Sequence, residues 1–268
     1  MLRILTITFA LFASLRMFAQ TVPAPPLPPT DPSLYLTPHP HAGQTLSDIT
    51  YRVISIYAPG MDDSVSQMPS TGTLTILPSP SEDIIRFSFD GRIDGVTEMK
   101  AIRGEYRAHV TLSCLSGTCA TNTDASAPFY NPTIWGSPKG DLIAGQTWAV
   151  KLISPWELGP PGTQTITVVS VDRANGTIVL KRQGDGDGAY VGAPDTVGIK
   201  KDGKSYKVAV KRDKTHWVGQ AVIQQGVIVS DELLSITSVE LSSPELGVIH
   251  ARERQYMSVL EHPEPIPL

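Results

Sequence analysis

Residues 198–210 read GIKKDGKSYKVAV, and this stretch decides the fold. Tyr206, Val208 and Val210 point one way, opposite to Lys207 and Lys211, a period of two that suits a strand with one wet face. Asp202-Gly203 interrupts the run with two residue types that tolerate the positive φ angles of a type I′ turn, whose twist matches the strands it joins. The stretch is therefore a β-hairpin with arms Gly198–Lys201 and Ser205–Val210.

The same signals recur on both sides of it. Tyr106–Cys114 (YRAHVTLSC) alternates cleanly: Tyr106, Ala108, Val110, Leu112 and Cys114 against Arg107, His109, Thr111 and Ser113. That predicts one strand with a buried face and a wet face. Ile49-Tyr51-Val53, Ile85-Phe87-Phe89 and Trp148-Val150-Leu152 predict the inward residues of further strands. Runs at 217–223, 227–229, 234–241 and 248–260 are alternating or β-branched. Asn175-Gly176 predicts a turn between Thr165–Val171 and Thr177–Leu180, and Asp90-Gly91 predicts another after Phe89. Only Gly95–Arg103 admits a short helix. About 12 strands with short links predict an all-β antiparallel meander, closed into a barrel or left as an open half-barrel to manage its edges. The alternative is two stacked β-sandwich domains, with a boundary near 136–145.

The N-terminus reads differently. Met1-Leu2-Arg3, the apolar Ile4–Leu15 and then Ala19-Gln20 have the three-part layout of a secretory signal peptide. Residues 1–19 are expected to be cleaved, leaving a soluble chain that is secreted or periplasmic. The apolar run is about 12 residues, short of the roughly 20 of a spanning helix, and no later segment qualifies. Residues 20–44 are rich in proline, which fixes φ and lacks an amide hydrogen, so an extended linker is expected. The β domain would then span 45–262, followed by a tail at 263–268.

The chain has 268 residues, 18 % of them charged, and a net charge of -4. That balance excludes a dedicated nucleic-acid binder. The 2 cysteines are too few for a disulfide scaffold or a zinc ribbon. In an exported chain, Cys114 and Cys119 are expected to close a small disulfide loop.

Four features can carry chemistry. Phe129, Tyr130, Trp135 and Trp156 lie in the Pro/Gly-rich stretches APFYNPTIWGSP and SPWELGPPG. They read either as the rim of a pocket for an apolar or glycan ligand, or as lids over a β core. Lys200, Lys201, Lys204, Lys207 and Lys211 crowd one hairpin, as a patch for an anionic partner or as a solvated face. Gly184-Asp185-Gly186-Asp187-Gly188 resembles the start of a calcium loop, with Asp185 and Asp187 as weak ligand candidates. Ala189 and Thr196 stand at the fifth and twelfth positions, where Asp or Asn and then Glu are needed, so a flexible loop is the competing reading. No other cofactor is expected. His250, Arg252 and Arg254 share one strand face opposite Ala251 and Glu253, which makes either an anion site or a charged surface.

Catalytic motifs such as GxSxG, HExxH and the P-loop are absent. The expected function is an exported, non-enzymatic β protein that binds an apolar or glycan ligand or an envelope partner. The alternatives are a hydrolase of a cell-wall or extracellular polymer, built on His109, His216 or His250 or on a carboxylate pair, and an assembly protein docking through the basic hairpin.

Overall fold

The computed structural model describes residues 31–82, 84–93, 97–107, 111–116 and 128–262. Twelve strands form one antiparallel sheet: β1 (Thr45–Tyr57), β2 (Ser64–Leu77), β3 (Ile84–Ile93), β4 (Thr97–Arg107), β5 (Thr111–Ser116), β6 (Thr147–Leu152), β7 (Gly162–Asp172), β8 (Thr177–Asp187), β9 (Thr196–Lys201), β10 (Lys204–Gln224), β11 (Val227–Ser243) and β12 (Gly247–His262). Among the described residues there are also two one-turn helices, α1 (Pro32–Leu36) and α2 (Pro132–Trp135). The sheet order is β5-β4-β3-β2-β1-β12-β11-β10-β8-β7-β6, with β9 paired to β10 off this path. Two meanders are thus joined where β1 pairs with β12, Ile49 facing Leu260 and Val53 facing Tyr256. The sheet stays open, so it is the half-barrel form of the expected meander. One sheet runs through both halves, in place of the stacked-sandwich alternative.

The basic hairpin folds as its sequence dictates. Asp202 (φ 50) and Gly203 (φ 76) make the turn, and Lys201 pairs with Lys204. This arm curls back until Asp62 N donates to Lys200 O at 2.9 Å. Ile56, Ile199, Val208, Val239 and Leu241 fill the corner so formed.

Several expectations fail, each for a physical reason. Tyr106–Cys114 is not one strand: Tyr106 pairs with Leu112 and Arg107 with Thr111, so it is the β4–β5 hairpin. An odd-length reversal preserves parity, and alternation alone cannot tell a strand from such a hairpin. Asp90-Gly91 lies inside β3 rather than at a turn. Gly91 pairs with Gly72, and the Phe89 ring packs so close over both that a Cβ on either would overlap it. Gly95–Arg103 falls largely in β4 rather than in a helix. Asn175-Gly176 does sit between β7 and β8, but the link is the longer 173–176, with Asp172 accepting from Ala174 N and Asn175 Nδ2. Residues 31–44 are not simply extended, because Asp31 caps α1 and Pro32 occupies its first turn, where a missing amide hydrogen costs nothing.

The largest difference is in β1. Its inward residues are Leu46, Asp48, Thr50, Arg52, Ile54 and Ile56, while Ile49, Tyr51 and Val53 face the other way, Tyr51 being 37 % exposed. Polar groups are tolerated inside because neighbouring strands supply partners. Arg52 donates to Gln255 Oε1 (2.7 Å) and Glu157 O (3.0 Å), and Arg212 donates to Glu253 Oε2 (2.7 Å).

Candidate binding site

The segment 128–160 lies over the inward face, and its aromatics are mostly lids. Phe129 and Trp135 are 0 % exposed and Trp156 is 2 % exposed, so none offers a free face to a ligand. Trp135 lies 4.4 Å from the Arg182 guanidinium, a buried cation–π contact that fixes α2 on the sheet. Trp156 meets Trp217 edge to face at 5.4 Å. Trp217 is fully buried, as expected of a core residue.

Tyr130 lines a cavity between the two helices. α1 and α2 are built alike: Asp31 accepts from Ser33 N and Asn131 from Thr133 N, both at 2.9 Å, and each cap is followed by proline. Gly136 ends α2 at φ 79, where its N–H donates to Pro132 O. The Gly226 turn pins both segments, its N–H donating to Tyr35 O (2.7 Å) and its carbonyl accepting from Tyr130 N (2.8 Å). Between the two helices lies an apolar cavity of about 380 Å³, walled by Leu36, Pro38, Tyr106, Tyr130, Pro132 and Pro138. Tyr106 Oη donates to Tyr130 O and Tyr130 Oη donates to Gly136 O, so both hydroxyls are already used. Burial pushes the Tyr130 hydroxyl pKa far up and keeps it a neutral phenol.

A second cleft, of about 590 Å³, opens on the other side of α1, with Leu34, Leu46, Gln224, Val229 and Glu261 among its walls. Asp48 and Glu261 pair directly across β1 and β12. Burial, and then the neighbouring Asp48, push the Glu261 carboxyl well above its ordinary value. Burial raises Asp48 as well, against the hydrogen bond it receives from Glu261. Both shifts point the same way, toward one proton shared between the two acids. This pair was missed in the sequence. Its signal was parity: Glu253, Gln255, Met257, Val259 and Glu261 share the buried face of β12.

The remaining predicted residues spread over other surfaces. Lys200, Lys204, Lys207 and Lys211 are exposed and Lys201 is half-buried, with Lys204 Nζ 5.0 Å above the Tyr206 ring. Lys211, His250 and Arg252 line a cleft of about 520 Å³ together with Tyr57, Asp213 and Glu240, a mixed rather than cationic lining. Asp185 and Asp187 lie on β8, which corrects the loop reading. Asp185 faces His216, whose Nδ1 is 2.9 Å from its carboxylate, and Asp187 faces Lys214. Among the described residues no group of three or more His, Cys, Asp or Glu is placed to hold a metal ion. Cys114 lies on β5, while Cys119, and with it the expected disulfide, the segment 1–19 and His109 lie outside the described residues. No described helix is long and apolar enough to cross a membrane.

No family model and no curated protein matches the chain. Solved structures resemble it only weakly. A lipovitellin structure concerned with lipid–protein interactions is 10 % identical, with a TM-score of 0.39, over 85 % of this chain and 26 % of that one. The chain therefore spans about a quarter of the lipovitellin chain. OmpF of Salmonella typhi in complex with daunomycin is 10 % identical, with a TM-score of 0.22, over 82 % of this chain and 98 % of that one. A loop-deletion mutant of OmpT, an outer membrane protein of Vibrio cholerae, is 9 % identical, with a TM-score of 0.24, over 83 % of this chain and 100 % of that one. Likenesses this weak say nothing of what the chain binds.

Proposed function

We propose that the chain is a non-enzymatic binding protein, acting outside the cytoplasm after loss of residues 1–19, and that its ligand is small and apolar. The observation that carries this is the apolar cavity between α1 and α2. Its volume of about 380 Å³ lies within the range of small-molecule sites. Its tyrosine hydroxyls are tied to backbone carbonyls, so rings, prolines and Leu36 make its apolar wall, while Asp31, Ser33, Thr37 and Ser137 form a polar edge. Of the catalytic alternatives, His250 shares its cleft with Asp213 and Glu240, yet no hydrogen bond joins it to either among the described residues. His216 and Asp185 meet on the exposed face and line none of the three clefts described above. Asp48 and Glu261 are hydrogen-bonded to each other, closer than the roughly 5 Å or more that glycoside hydrolysis requires between two carboxyl groups.

The test is titration with a neutral fluorescent apolar probe, N-phenyl-1-naphthylamine. The unaltered protein should bind it saturably at one site. Leu36→Trp, which fills the cavity from α1, should weaken binding by about tenfold or more while the melting curve stays cooperative. A folded L36W protein that binds the probe as well as the parent rejects the assignment.

A further inference from the structure

We propose that the cleft on the other side of α1 is a second site, which takes an organic cation, its ammonium group meeting the Asp48–Glu261 pair. Glu261 is 3 % exposed, and its Oε2 has no hydrogen-bond partner although it is buried. A polar atom buried without a partner is costly, and this one belongs to a residue that lines an open cleft of about 590 Å³. Its other interaction is with a second acid, and Asp48 in turn accepts from Thr50 Oγ1 at 3.2 Å. The site therefore offers acceptors that no cation among the described residues pairs with. The titratable groups around Glu261 are Asp48 on β1 and His39 at the cleft mouth, while β11 presents Val229 to the cleft and carries Asp231 further along. The cations on the inward face are engaged elsewhere, Arg182 with Asp231 and Arg52 with Gln255 and Glu157 O.

The walls define the rest of the ligand. Leu34, Leu46, Val227 and Val229 suit an apolar body, and the amides of Gln224 and Gln225 suit its polar edge. In the unliganded pair, one proton is held between two carboxyl groups. An incoming ammonium replaces it: the proton leaves the pair for solvent, and the Glu261 carboxylate then faces the cation, with Asp48 behind it. Charge balances, with one cation in and one proton out. Affinity should accordingly rise with pH, by up to about tenfold per unit while the pair retains its proton. The inference does not rest on the apolar cavity: Ser33 and Thr37 border both sites, but the other walls differ and the two sites have separate readouts.

The experiment is isothermal titration calorimetry of the full chain with 2-phenylethylamine, and with the neutral isostere 2-phenylethanol, in two buffers of different ionisation enthalpy. The amine should bind at least about tenfold more tightly than the alcohol and release close to one proton. Glu261→Gln, an isostere of the protonated acid, should abolish both the discrimination and the proton release. Val229→Phe, an apolar change on the cleft wall, should weaken the amine by about tenfold whether or not the glutamine variant folds. Equal affinity for amine and alcohol, binding without proton release, or a folded V229F protein with unaltered affinity would each overturn the proposal.

Discussion

Arg182 reaches across β10 to Asp231 on β11, Nη2 to Oδ2 at 2.5 Å, with side chains 0 % and 1 % exposed. Gly219 makes the crossing possible. It pairs with Arg182, and a Cβ there would stand 3.1 Å from Nε and 2.6 Å from Glu232 O. The ion pair ties β8 to β11 beneath Trp135. Removing one partner strands a buried charge, so Asp231→Ala should cost about 3–5 kcal/mol, read by urea unfolding. The apolar pair R182M/D231L should recover most of that loss. A double variant no better than D231A would mean that Arg182 acts through its contact with Trp135 rather than through the charge.

The same carboxylate makes stability depend on pH. Burial pushes Asp231 up to about 6, against the pull of Arg182. Its ordinary unfolded value is about 3.9, so the folded state binds the proton more tightly. The resulting stability is fully present below about pH 4 and is lost as pH rises through about 6. Glu261 and Asp48 shift in the same direction. Melting temperatures should therefore fall between pH 4 and pH 7, and Asp231→Asn should flatten that fall even though it lowers stability overall. An unchanged slope in the variant would move the effect to the Asp48–Glu261 pair.

The all-β class and most strands were legible because alternation and Asp-Gly turns are local signals. Which face turns inward was not. In β12, parity separates His250, Arg252 and Arg254 from Ala251, Glu253 and Gln255, and the structure keeps that separation. That Glu253 is buried depends on Arg212, 41 residues away, which no local window contains. The aromatics near 128–156 were visible as a group, but their burial depends on Arg182 and Trp217, which they cover. The small wall residues of both clefts left no mark in the sequence, since α1 sits in a stretch whose prolines read as a linker.

Glycines in GDGDG looked like a loop signal and prove to be packing residues. A Cβ on Gly184 would stand 2.6 Å from the Trp217 indole and 2.6 Å from Thr163 O. Neither neighbour can yield easily, because the indole is buried and the carbonyl belongs to the β7–β8 ladder. Gly184→Ala should cost about 1–3 kcal/mol or more by overpacking. Gly198→Ala is the control, as nothing lies within 4 Å of its Cβ position. A G184A protein as stable as G198A in urea would show that Trp217 can shift.

Tyr190 lies between two arginines, its ring 5.3 Å from Arg52 Cζ and 5.0 Å from Arg212 Cζ. Both cations are also held from below. Arg52 donates to Gln255, Arg212 donates to Glu253, and Gln255 Nε2 donates to Glu253 Oε1 at 3.0 Å. One acid therefore serves two arginines, one of them through an amide, and the aromatic face supplies the remaining attraction. The loop between β8 and β9 is anchored by this ring, which is 7 % exposed. Tyr190→Leu keeps much of the apolar area but loses the π face. It should cost about 2 kcal/mol, as expected for desolvated cation–π contacts. Tyr190→Phe keeps the ring and loses only the hydroxyl, which should cost about 1 kcal/mol. Equal losses in the two variants, measured by urea unfolding, would place the energy in the hydroxyl rather than in the ring.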